Sequence, residues 1–172
     1  SDLEALEDDD NDILVYVINF ASGFKIKALS SNPSNLRGMQ GNVIIDEAAF
    51  QKDLAAVLKA ALALTMWGSK VRLISTHNGI ENLFNTIITD SRAGKKRYSV
   101  HRIDIELAIS EGLYRRICQV TKKPWSPDAE TEWLANLLSD TATEEDAREE
   151  YYCEPKNGGG SVVSLDSFRK KN

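Results

Sequence analysis

Cysteine and histidine are both scarce in this chain, and that scarcity excludes several chemistries. Two cysteines in 172 residues, Cys118 and Cys153, give neither a disulfide framework nor the paired spacing of a zinc site. Two histidines, His77 and His101, cannot build a multi-histidine centre, so any metal would be a hard cation held by oxygen, such as magnesium. Long apolar runs are missing too. The longest, around residues 54–67, is interrupted by Lys59 and falls short of the roughly 20 residues a bilayer span needs. No membrane association is expected. Residues 1–12 contain no base, where a secretory signal would open with basic and then apolar residues, and the expected compartment is a reducing cytoplasm. Finally, no Gly-x-x-x-x-Gly-Lys-Ser/Thr block occurs; Gly158-Gly159-Gly160-Ser161 has no lysine in register.

What is present is a chain that is 42% hydrophobic, enough for one core. Its net charge of -5 is unevenly spread. Residues 1–12 hold seven acids and residues 126–154 hold ten acids against one base, whereas Arg92, Lys95, Lys96, Arg97 and Arg102 form an acid-free basic run beside Tyr98. Such a run attracts a phosphate backbone or simply forms a solvated face. The expected organisation is an acidic tail over 1–12, a folded region over 13–155, and a linker and tail over 156–172.

Within the folded region, ILVYVINF and FKIKAL flank Ala21-Ser22-Gly23 as a β-hairpin, and residues 30–42 read as a long loop. Val43-Ile44-Ile45 reads as a strand covered on both faces, residues 48–66 as a helix ended by Gly68, and Val71–Ser75 as a second strand. Strand, helix and strand at this spacing make a βαβ unit, whose parallel strands end on one edge. Asp46, Glu47, Ser75 and Thr76 then meet at the edge where open α/β sheets bind ligands. Helices are expected near 81–91, 104–120, 127–139 and 143–152, with a basic strand over 95–103.

An apolar strand ending in Asp-Glu suits an ATPase, in which the aspartate orders the shell of a magnesium ion and the glutamate polarises water. The same acids also suit a helix N-terminus, and Ser75-Thr76 also suits capping. Taken in order, Leu36-Arg37-Gly38, Val43-Ile44-Ile45-Asp46-Glu47, Ser75-Thr76-His77-Asn78-Gly79, Arg102-Ile103-Asp104 and Glu150-Tyr151-Tyr152-Cys153-Glu154-Pro155 resemble the large terminase subunit of Mu-like phages and prophages. The resemblance covers residues 13–165. His77 stands where that family usually has proline, Ala48 where it often has an aromatic residue and Ile80 where lysine is common.

The resemblance implies a DNA-packaging ATPase. Its fold would be an incomplete P-loop NTPase-like three-layer α/β fold with parallel core strands, an N-terminal β-hairpin and C-terminal helices. Asp46 would be the Walker B aspartate on Mg2+, Glu47 the catalytic glutamate, and Ser75, Thr76, Asn78 and Gly79 the segment coupling hydrolysis to movement. Arg37 would lie near the nucleotide or near the DNA path. The complete protein would use Mg2+ and ATP, act on double-stranded DNA with a small terminase subunit and a portal, and work in a bacterial cytoplasm. Without the phosphate-binding loop and the nuclease domain, the chain is expected to be a piece of a longer protein, a split gene or a decayed prophage remnant. It is expected to bind no nucleotide tightly and to be inactive alone, with the edge of Val71–Ser75 open to self-association. The alternatives are a DEAD-type helicase-like motor fragment, although Ala49 breaks the Asp-Glu-Ala box, and a non-catalytic interaction module.

Overall fold

The computed structural model describes residues 3–6 and 15–157, which divide into two compact units, residues 1–75 and 76–172. Residues 1–2, 7–14 and 158–172, including Gly158–Ser161, Leu165 and Phe168, lie outside the described residues.

In the first unit, β1 (Leu3–Leu6), β2 (Val15–Asn19) and β3 (Lys25–Ala28) form an antiparallel sheet in that order. The hairpin β2–β3 follows from the alternating sequence and from Gly23, whose φ of 83° closes the turn. β1 corrects the expectation of a solvated acidic tail at these four residues. The backbone of Leu-Glu-Ala-Leu pairs with the free edge of β2, with Leu3 opposite Ile18 and Leu6 opposite Val15. Like charge elsewhere in the segment does not prevent four residues from completing a ladder.

β4 (Val43–Ile45) and β5 (Val71–Leu73) pair in parallel, as the βαβ spacing requires. The ladder extends beyond both: Val43 N–H donates to Lys70 C=O (2.9 Å), Ile74 N–H to Ile45 C=O (3.0 Å), and Ala48 N–H to Ile74 C=O (3.1 Å). Only one face is covered. Ile45 is buried while Ile44 is 61% exposed, so β4 is not enclosed on both sides as expected.

The single helix expected over 48–66 is instead three pieces: a 3-10 turn at Ala48–Phe50, α1 (Leu54–Ala63) and a 3-10 turn at Leu64–Trp67. The break is set by Asp53, whose side chain accepts the Ala56 N–H (3.0 Å) and starts the helix afresh. Leu54, Val57, Leu58 and Ala61 form its buried stripe, and Gly68, at φ 83°, ends the run. A further 3-10 turn, Pro33–Leu36, packs on α1 from within the expected loop.

The second unit holds α2 (Leu83–Arg92), α3 (Ile105–Ser110), α4 (Leu113–Thr121), α5 (Pro127–Ser139) and α6 (Glu144–Tyr152). The expected helix over 104–120 is two helices, because Gly112 takes φ 98° and turns the chain. The expected basic strand over 95–103 does not form: these residues carry no regular secondary structure, and no strand of the second unit lies among the described residues to pair with them. Its first amides turn back, with Lys95 and Lys96 N–H both donating to Asp90 C=O. The composition is therefore mixed α/β, with two small sheets and six helices among the described residues. None of those helices is long and apolar enough to cross a membrane.

Candidate functional site

The carboxyl end of β4 is built by a sharp turn. Directly after buried Ile45, the chain places Asp46 and Glu47 at the surface and then descends into buried Ala48 and Ala49. The reversal is made at Glu47, which adopts the left-handed conformation (φ 49°, ψ 44°). For a residue with a β-carbon that costs roughly 1–2 kcal/mol. Two hydrogen bonds hold the turn: Asp46 Oδ1 accepts the Glu47 N–H (3.1 Å), and Gln51 Nε2 donates to Asp46 C=O (2.8 Å). Asp46 and Glu47 are both exposed, which puts two carboxylates, hard oxygen donors, at a strand end.

β5 delivers Ser75 to the same edge, where its hydroxyl accepts the Ala49 N–H (3.1 Å). Asp46, Glu47 and Ser75 thus meet as expected, although Ser75 also caps the turn that follows the acidic pair. A hydroxyl that accepts one bond keeps its own proton to donate. Arg37 follows the Pro33–Leu36 turn in this unit, exposed and extended, its N–H donating to Ser34 C=O (3.2 Å).

The remainder of the segment, Thr76–Gly79, begins the second unit. Its anchor is Glu149, half-buried on α6 and missed in the sequence. One oxygen, Oε2, accepts both the Gly79 N–H (2.7 Å) and the Lys156 N–H (2.9 Å), while Ile80 N–H donates to Lys156 C=O (2.8 Å). Asn85 Nδ2 adds a bond to Ile80 C=O (2.8 Å). Seventy residues separate Glu149 from Gly79, so no local pattern could reveal the pairing. Lys156, expected to open a linker, is bound on its backbone and also pairs with Asp146, which lowers the Asp146 pKa and raises that of Lys156, in each case first through their mutual hydrogen bond.

His77 lies beneath this loop, 8% exposed, its ring 5.7 Å from that of Phe84. Its Nδ1 is buried without a hydrogen-bond partner. Burial lowers its pKa below 6.5, with Arg92 and Arg102 acting in the same sense and Glu149 opposing them. His77 thus packs against Phe84 as a buried residue whose charged form is disfavoured.

The expected basic run is dispersed by the structure. Arg92 ends α2, where a cation complements the helix dipole. Lys95 lies 3.6 Å from Asp90; Arg102 donates to Tyr152 C=O (2.6 Å) and sits 3.4 Å from Asp104. Lys96 and Arg97 are exposed, and Tyr98 is half-buried, its phenol pKa raised by burial. Among the described residues no three His, Cys, Asp or Glu side chains cluster to hold a metal.

The chain matches, over residues 8–170, the family described as the N-terminal region of the terminase large subunit, T4likevirus-type. It is 68% identical over 160 residues to the Mu-like prophage FluMu protein gp28 of Haemophilus influenzae, covering 93% of this chain and 32% of that protein. It is 59% identical over 158 residues to the probable terminase, large subunit gp28, of Escherichia phage Mu, covering 91% of this chain and 29% of the relative. The chain therefore spans about a third of the length of these relatives. No solved structure matches it. These matches lend nothing to the helicase-like alternative, and the chain belongs to the family of phage terminase large subunits, in that family's N-terminal region.

Proposed function

We propose that the chain carries the catalytic strand end of a magnesium-dependent ATPase that drives DNA packaging, and that β4 and β5 belong to the parallel core of a P-loop NTPase-like three-layer fold. The observation that carries this reading is the turn itself: adjacent carboxylates, Asp46 and Glu47, project from the end of a parallel strand, and a strained backbone is kept at Glu47. Strain retained at a polar surface turn, where glycine would relax it, marks a position whose side chain is needed.

The donor set fits magnesium, which is held by one or two carboxylates with water and substrate phosphates rather than by an all-protein cage. Asp46 is the residue that would hold it through Oδ2, since Oδ1 is engaged with the Glu47 amide. When bound, the ion would neutralise charge on the phosphates. Glu47 accepts a proton from the attacking water and orients it. Ser75 offers its hydroxyl proton at the neighbouring strand end, and the coupling segment runs on through Thr76, Asn78 and Gly79 to the Glu149 anchor. The sequence holds no phosphate-binding loop, so the chain by itself is expected to bind Mg-ATP weakly. Double-stranded DNA, a small terminase subunit and a portal are the partners this reading assigns to the whole protein, in a bacterial cytoplasm.

The test is a magnesium titration of ATP hydrolysis by a polypeptide spanning the full length of the Mu relatives. Asp46→Asn is expected to raise the Mg2+ concentration for half-maximal activity at least about tenfold, the effect of about 1.4 kcal/mol. An unchanged magnesium requirement would remove Asp46 from the metal site.

A further inference from the structure

The unpaired cations of the second unit are not confined to the run first apparent in the sequence, where Arg92, Lys96 and Arg97 make no ion pair among the described residues. Lys95 and Arg102 already face carboxylates, and Arg102 also binds a backbone carbonyl. Arg115, Arg116, Lys122 and Lys123, in contrast, have no ion-pair partner among the described residues, and no acid interrupts the sequence between Glu111 and Asp128.

The fold gathers part of this set into one place. Arg115, Cys118 and Gln119 lie at helical spacing on one side of α4. Lys122 then takes a left-handed conformation (φ 56°), and Lys123 N–H returns to Cys118 C=O (2.9 Å), which folds the following residues back along the helix. As a result the Arg115 guanidinium lies over the Trp125 ring, 4.2 Å from its centre. Arg115, Cys118, Gln119, Lys123 and Trp125 line an open cavity of about 280 Å³. The neighbouring carboxylate, Glu130, accepts the Trp125 indole N–H (3.0 Å) and so fixes the ring on which the guanidinium rests.

A guanidinium held over an indole has already lost some of its conformational freedom, and it carries five N–H donors in a fork that matches a phosphate. Lys123 adds a second cation, and Gln119 an amide that can donate. The cavity is open, and its lining carries two cations and no carboxylate. We propose that this face of α4, with Trp125, is a contact for the phosphodiester backbone of duplex DNA. The phosphate chemistry comes from the geometry alone; the choice of DNA rests on the packaging reading above.

The experiment is a salt titration of the chain with a short labelled DNA duplex, and with an RNA duplex of the same sequence. Arg115→Ala with Lys123→Ala is expected to weaken DNA binding at least about tenfold at roughly 50 mM salt and to make the log–log salt slope shallower by about two. Lys96→Ala with Arg97→Ala is expected to change affinity less than about threefold. Arg115→Lys, which keeps the charge but not the planar stack, should fall between wild type and the double variant, and a circular dichroism melt confirms that each variant folds. Failure of the wild-type chain to bind DNA at low salt, or equal binding by the Arg115/Lys123 variant, overturns the proposal. Equal or tighter binding of the RNA duplex overturns the assignment to DNA. Neither result touches the magnesium titration at Asp46, so failure here is distinguishable from failure of the ATPase reading.

Discussion

At Glu47 the backbone and the side chain make opposite demands. Its left-handed φ favours glycine, whereas the chemistry proposed at that turn needs a carboxylate. Relieving the strain should therefore stabilise while it disables. Glu47→Gly is expected to be more stable than Glu47→Ala by up to about 1 kcal/mol in urea denaturation, since only glycine visits this conformation freely. A more stable alanine variant would show that the strain is not real. His77 makes a second residue-scale test. Because burial holds its folded-state pKa below 6.5, the unfolded chain takes up the proton first. Its contribution to stability is complete above about pH 6.5 and is lost as pH falls below that value. The urea midpoint should drop between pH 7.5 and 5.5, and His77→Phe should flatten that drop; equal drops in both proteins would mean that the fold does not lower the His77 pKa. The acidic pair was legible as residues at a strand end. The left-handed turn was not, because nothing in Asp-Glu-Ala-Ala announces positive φ.

Among the elements, those with strong periodicity and clear punctuation are legible in the sequence. β4, β5, the hairpin β2–β3, α5 and α6 stand where alternation, turn residues and caps put them. The misses have two physical causes: a local cap or turn that overrides hydrophobic spacing, and a pairing partner that the local sequence does not reveal. Asp53 restarts a helix that hydrophobic spacing alone carries through, and Gly112 divides another. The 95–103 segment has strand-like alternation but no neighbour to ladder with, and β1 forms because β2 offers an open edge. α6 shows the same dependence at the site. Its Glu149 ties Gly79 to Lys156 through one oxygen, joining the Thr76–Gly79 segment to the chain that leaves the helix. Glu149→Ala should strip two amides of their acceptor at a cost of about 1–3 kcal/mol and speed hydrogen exchange at Gly79 and Lys156. Glu149→Gln, which keeps an acceptor oxygen, should restore most of the protection while lowering the His77 pKa further, as the attraction of the Glu149 charge is lost. Unchanged exchange in the alanine variant would dissolve the anchor.

Across the whole molecule, the mean composition misleads. A net charge of -5 conceals an acid-free basic stretch on α4 and its C-terminal turn, and only the fold distinguishes the cations already engaged from those still available. Asp46 and Glu47 belong to the first compact unit and Thr76 opens the second, so the sequence motif Ser75–Gly79 begins in one unit and continues in the next. The proposed ATPase requires Glu47 to act in hydrolysis rather than in structure. The most direct measurement is single-turnover hydrolysis of Mg-ATP by a polypeptide spanning the full length of the Mu relatives, wild type against Glu47→Gln. A catalytic Glu47 predicts a rate lower by roughly 10²–10⁴ in the variant, with nucleotide affinity changed less than about threefold. Hydrolysis at the wild-type rate by the Glu47→Gln protein would contradict it.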